Sequence, residues 1–151
     1  MKLPFKSVAI STIAHATESE ERLKDALNLF IPEEIEIESE EAEGHYGDSK
    51  VIFKVDIENR PDIRYFWDRI LEMLNDEERD WLKRNAVDRI ADDCRLYLRF
   101  DKQFLISEES LRFSDSGDVI HVRINVAAYP AKKDIAVEKI EGFLDSGLEY
   151  E

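Results

Sequence analysis

Asp101, Lys102 and Gln103 place a carboxylate, an ammonium and a primary amide on three consecutive positions. They close the run Leu96-Tyr97-Leu98-Arg99-Phe100. Leu96, Leu98 and Phe100 alternate with Tyr97 and Arg99, and strand side chains alternate with period two, so the run reads as a strand with one buried face. The three polar groups then sit together at its end. They are poor parts for covalent chemistry, because no activated nucleophile stands among them. They suit gripping a phosphate backbone or another polar partner.

The same alternation sends Arg99 from one strand and Arg123 from Val119–Ala127 to the face opposite the core. With Lys102, Tyr97 and His121 they would form a mixed cationic and aromatic surface, of the kind that tracks phosphates and stacks exposed bases. The competing reading is that these arginines are consumed by neighbouring carboxylates. Among His15, His45 and His121 no pair has the spacing of metal ligands, and there is one cysteine, so no zinc site is expected. His45 and Tyr46, between Gly44 and Gly47 in a loop, are the best-placed loop contacts.

Asp92, Asp93 and Asp101, with Glu108 or Glu109, could hold Mg²⁺ in a nuclease-like site, since hard oxygen ligands suit that ion. In a chain with 35 acidic residues such pairs are common, and Asp92-Asp93 more simply ends a helix or begins a loop. No phosphate-binding glycine loop, dinucleotide fingerprint, nucleophile elbow or metalloprotease pair is present. The sequence therefore assigns no catalytic residue, no metal and no cofactor.

The chain of 151 residues is long enough for one domain, 1–151, with a real core. Cys94 stands alone, so no intrachain disulfide is possible. The N-terminal stretch lacks the apolar run of a signal peptide, and no segment approaches a membrane span. A cytoplasmic protein is expected. The net charge of −14 argues against a general nucleic-acid binder, but it is unevenly spread. Residues 1–59 carry 6 Lys+Arg against 14 Asp+Glu, whereas residues 79–133 carry 11 against 9. A basic surface in the later part is compatible with an acidic protein.

The elements that must position these groups follow from periodicity. Strands are expected at Phe5–Ala14, Ile35–Glu43, Lys50–Ile57, Cys94–Asp101 and Val119–Ala127, with a short one at Glu108–Phe113. Helices are expected after a capping box at Thr17-Glu18-Ser19-Glu20, after Pro61, after an Asn75 cap, and over Lys133–Leu144. Residues 102–107 have no clear pattern. Short turns between consecutive strands favour an α+β fold, an antiparallel sheet with helices packed on one face.

Several of these stretches carry a family resemblance. Ala14-His15-Ala16-Thr17-Glu18, Glu43-Gly44-His45-Tyr46-Gly47, Leu96 through Gln103 and Val122-Arg123-Ile124-Asn125-Val126 occur in that order, before Tyr129-Pro130. Together they resemble the archaeal family of small RNA-binding proteins, predicted exosome accessory subunits related in fold to ribosomal protein L5. The chain departs from the family pattern at Asp48-Ser49, which puts a negative charge beside the hairpin tip, and at Phe104-Leu105. The resemblance implies an L5-like α+β fold and a non-catalytic RNA-binding role, with RNA and RNA-processing proteins as partners. Arg99, Lys102 and Arg123 would then contact phosphate, Gln103 sugar or base edges, and His45 and Tyr46 a loop contact. The alternative is a homodimeric protein-interaction module with no direct nucleic-acid role, supported by the overall acidity and the acidic run Glu33–Glu43; a homodimer is equally compatible with RNA binding, because pairing can cover the exposed edges of an open sheet.

Overall fold

Five antiparallel strands form one sheet in the order β2-β3-β1-β5-β4, in a computed structural model that describes residues 2–43 and 47–150. The elements are β1 Phe5–His15, α1 Glu20–Leu27, β2 Glu38–Glu43, β3 Ser49–Ile57, α2 Arg60–Met73, α3 Asp76–Asn85, β4 Arg95–Asp101, α4 Lys102–Glu108, β5 Val119–Val126 and α5 Lys133–Asp145. This is the expected α+β architecture, with helices covering one face of the sheet.

Alternation decides which face they cover. Val8, Ile10 and Ala14 of β1, Phe53, Val55 and Ile57 of β3, Leu96, Leu98 and Phe100 of β4, and Ile120, Val122 and Ile124 of β5 are all buried on that side. The helices meet them with Leu23 and Leu27 of α1, Phe66, Trp67 and Ile70 of α2, and Ile140 and Phe143 of α5. Phe5 sets its ring edge-to-face on Trp67 at 4.8 Å and on Phe143 at 5.8 Å, a packing that adds to the area term.

Local chemistry starts the helices. Asn59 accepts a hydrogen bond from the Asp62 amide at 3.0 Å with Pro61 in the first turn, and Asn75 accepts from the Glu78 amide at 2.9 Å. Three sequence expectations differ. The cap of α1 is Ser19, not Thr17, because Glu18 is drawn aside to other partners and the helix begins after it. β2 starts at Glu38 rather than Ile35; Ile35 and Ile37 are partly buried against the core instead of pairing. Glu108–Phe113 is not a strand. Residues 102–108 form α4, capped by Asp101, and Leu111 and Phe113 make only single bridges to Leu74 and Phe100.

The two sheet edges are unlike. The outer edge of β4 is covered by flanking chain: Ala91 N donates to Arg95 O, Ser114 N to Arg99 O and Arg112 O accepts from Asp101 N, each at 3.0 Å. The outer strand at the other edge, β2, presents exposed Glu38, Glu40, Glu41 and Glu43. Two copies pairing along β2 would oppose like charges, a recognised guard against edge association.

Phe66→Ala is expected to lower stability by about 3–5 kcal/mol in urea unfolding, because the ring is fully buried. Trp67→Phe should cost distinctly less. Its indole Nε1 is buried without a partner among the described residues, so the smaller ring also removes an unsatisfied donor.

Candidate nucleic-acid interface

Where β1 and β4 end and β5 begins, five polar side chains meet. Lys102 opens α4 immediately after β4, and Asp118 precedes β5 by one residue. His15 ends β1, and Glu18 lies in the turn that follows it. The Lys102 ammonium is fully buried and donates to Ile13 O at 2.6 Å and to the Glu18 and Asp118 carboxylates at 2.7 Å each. All three of its hydrogens are therefore committed. Gln103 Nε2 bridges the same two carboxylates at 3.1 and 3.3 Å, and Glu18 also accepts from the His15 amide at 3.0 Å. His15 Nε2 lies 3.5 Å from Asp118.

This arrangement corrects the expected role of Lys102. A buried ammonium with three acceptors holds strand ends together and presents no charge to a phosphate. Gln103 is exposed, but its amide nitrogen is turned inward; its carbonyl oxygen has no partner among the described residues. His15, Glu18 and Asp118 bring possible ligand atoms within 4.8 Å of one another, yet Lys102 already occupies the place of a cation between the two carboxylates. Burial pushes the Glu18 and Asp118 carboxyls up, but the Lys102 ammonium beside both holds each below its ordinary value.

The face of the sheet away from the helices carries the remaining cations. Register sets Tyr97 of β4 opposite Arg123 of β5, and Arg99 opposite His121. One step along, Arg95 lies opposite Asn125. The neighbouring central strand β1 contributes only Ser7, Ala9 and Ser11 beside Asn125, Arg123 and His121, so the floor there is low. Arg99 and Arg123 are exposed, and neither pairs with a carboxylate among the described residues; Arg99 reaches only the Asp115 carbonyl, at 3.4 Å. Arg89 takes the Asp115 carboxylate at 2.6 Å and Arg112 takes Asp101 at 3.0 Å; Arg99 makes no ion pair with either, though after Arg89 its charge helps hold the Asp115 carboxyl low. Neighbouring acids therefore do not consume this pair of arginines.

Asp93 orders one side of this face. It accepts from the Tyr97 hydroxyl at 2.7 Å and from the Arg95 amide at 3.1 Å, and the tyrosine bond is the main reason its carboxyl is held below its usual value. His121 is held low by burial, and by the positive charges of Arg99 and Arg123 beside it. Its imidazole stays neutral near pH 7.

Other candidates are not brought together. Asp93 and Asp101 lie on either side of β4, roughly 20 Å apart by strand rise. Asp92 points to solvent with Lys133 at 3.8 Å, so the three carboxylates make no common ion site. His45 and Tyr46 lie outside the described residues. Arg95, one of the basic candidates of the sequence, continues the Tyr97–Arg99 alternation one step back, but sequence reasoning did not single it out for the site. It missed Glu18 and Asp118, whose link to Lys102 has no local signal.

Lys102→Met, which keeps an apolar stem, should destabilise the protein by about 3 kcal/mol at pH 7 in urea unfolding, since it leaves two carboxylates facing each other. Both carboxyls have folded-state values below their unfolded ones, so their contribution is present above about pH 4.5 and is lost as pH falls through the lowered values. The gap between wild type and Lys102→Met should accordingly narrow on going to pH 3.

A family model described as RNA binding matches residues 7–126. A protein of Pyrococcus abyssi named as an RNA-binding protein is 35% identical over 149 residues, covering 95% of this chain and 96% of the relative. A crystal structure from Archaeoglobus fulgidus superposes with a TM-score of 0.79 at 28% identity, covering 91% of this chain and 98% of that one. A structure from Methanothermobacter thermautotrophicus gives 0.77 at 31% identity, covering 93% and 98%. With the family model spanning most of both the sheet and its helices, the chain belongs to this RNA-binding family.

Proposed function

We propose that this protein binds RNA through the β4–β5 half of its open sheet face and performs no chemistry on it. The observation that carries the reading is the pair Arg99 and Arg123, exposed, adjacent across two strands and free of carboxylate partners among the described residues. A guanidinium is always charged and can offer two parallel donors to a phosphate. Arg95 extends the cationic strip along β4, with its own charge partly answered by Asp93 at 3.9 Å. The acidic bulk of the chain stands elsewhere, most visibly on β2, so net charge does not oppose local attraction.

Gln103 takes a place at the end of this strip, where its carbonyl oxygen can accept from a ribose hydroxyl or a base amino group. Lys102 acts from beneath as a positioning residue, fixing the strand ends rather than touching RNA. The resemblance to predicted exosome accessory subunits extends the reading to a role beside RNA-processing proteins in the cytoplasm. None of the described helices is long and apolar enough to cross a membrane. The exposed glutamates of β2 favour a basic segment on such a protein partner as a second contact, independent of RNA.

Fluorescence anisotropy with short labelled RNAs across a salt series tests the assignment. Affinity should fall steeply with salt, since each neutralised phosphate releases counterions. Arg99→Glu and Arg123→Glu should each weaken binding at least about tenfold and reduce the slope of log K against log salt by about one. Unchanged affinity and slope in both variants would refute the site.

A further inference from the structure

We infer that the RNA taken by this face is single-stranded, lying along β4 and β5 with unstacked bases on the rings of Tyr97 and His121. The inference rests on the RNA-binding reading above and narrows it to one class of RNA. Cross-strand register makes a two-by-two pattern: Tyr97 opposite Arg123, Arg99 opposite His121. The two rings are thus diagonal to each other and so are the two guanidiniums. Each ring has a cation directly across from it, where a base and its phosphate would need them.

Spacing selects the form of the chain. Diagonal cross-strand neighbours stand about 7–8 Å apart, roughly twice the 3.4 Å rise per nucleotide within a stacked duplex strand. Neighbouring bases reach both rings only from a stretched, unstacked strand. The small β1 side chains make room for them. A hollow of about 330 Å³ lies between Ser11, Tyr97, Arg99, His121 and Arg123. A second, of about 210 Å³, lies between Ser7, Arg95, Arg123, Asn125 and the acidic residues Asp56 and Glu58. Arg123 borders both, so one phosphate held at its guanidinium would be flanked by a place for a base on each side; in the second, Asn125 and the acceptors Asp56 and Glu58 face a base edge rather than a phosphate.

The rings are prepared for stacking. The hydroxyl of Tyr97 is tied to Asp93 at 2.7 Å, which limits the freedom its ring would lose on binding. The imidazole of His121, kept neutral between two arginines, offers an uncharged face. A duplex meets the opposite conditions. The cationic strip is two strands wide, about 5 Å between neighbours. Beyond the hollow that Asp56 borders, the same open face carries Glu38 and Glu40 of β2, aligned with Lys54 and Ile52 of β3. A second backbone laid over that side would meet carboxylates, with Lys54 already 3.4 Å from Glu40.

The test compares a single-stranded RNA of about ten nucleotides with the same sequence annealed to its complement, by anisotropy at low salt. The single strand should bind at least about tenfold more tightly. Tyr97→Ala and His121→Ala should each weaken single-strand binding by about tenfold, within the range of base–aromatic stacking. Their salt slopes should stay those of wild type, because no phosphate contact is removed. Tyr97→Phe, which keeps the ring and loses the anchor to Asp93, should fall between. A duplex bound as well as the single strand, or alanine variants with unchanged affinity while Arg99→Glu and Arg123→Glu lose binding, would overturn the single-strand assignment and leave the RNA-binding reading intact. Absence of any binding at low salt would overturn both.

Discussion

One buried ammonium joins the parts of this fold that the backbone ladder alone leaves loose. Lys102 hydrogen-bonds the last residues of β1 through Ile13 O, the following loop through Glu18, and the entry to β5 through Asp118. It does so from the first residue of α4, just after β4 has ended. A desolvated charge is costly unless its geometry is nearly complete. Here every donor is used, so the strand ends have little freedom to slide relative to one another. The residues that carry the family resemblance in two distant stretches, Ala14 through Glu18 and Asp101 through Gln103, meet at this point. Their meeting here serves the structure of the sheet, without assigning either stretch to the ligand.

The open face depends on that requirement. Register between β4 and β5 is what places Arg99 against His121 and Tyr97 against Arg123. A slip of one residue would turn every one of these side chains into the core. The helices lie on the opposite face, so nothing in the described chain covers this surface. Four of the nearby acids are engaged, Asp115 with Arg89, Asp101 with Arg112, Asp93 with Tyr97 and Asp118 with Lys102, while Asp56 and Glu58 border the hollow beside Arg123 without an ion pair to it. A strongly acidic protein thereby keeps two guanidiniums unanswered. Sequestration of its carboxylates matters more here than their number.

The division of charge across the sheet also bears on association. The β4 edge is occupied by flanking chain and the β2 edge is lined by glutamates. Edge pairing between copies, a natural thought for an open antiparallel sheet, meets a covered edge on one side and like charges on the other. Partners of this protein are better sought among molecules that complement a face than among those that extend the sheet.

Much of the frame is legible in the amino-acid sequence. Alternation in β1, β4 and β5 names their buried faces, Pro61 and Asn75 announce two helices, and period two alone places the arginines of β4 and β5 on the outer face. These features are local, and local sterics and hydrogen bonding decide them. What local pattern does not decide is the fate of individual charges. Lys102 and Arg99 are three residues apart in the same charged stretch, and nothing in their spacing tells them apart. Lys102 is buried because Glu18, 84 positions earlier, and Asp118 converge on it; Arg99 is free because Arg89 and Arg112 take the acids near it. The same holds for α4, whose first residue is held by that distant pair. Alternation and capping determine which face and which element a residue joins. Only the tertiary structure, by bringing remote carboxylates to one cation and withholding them from another, decides which charges remain for a partner.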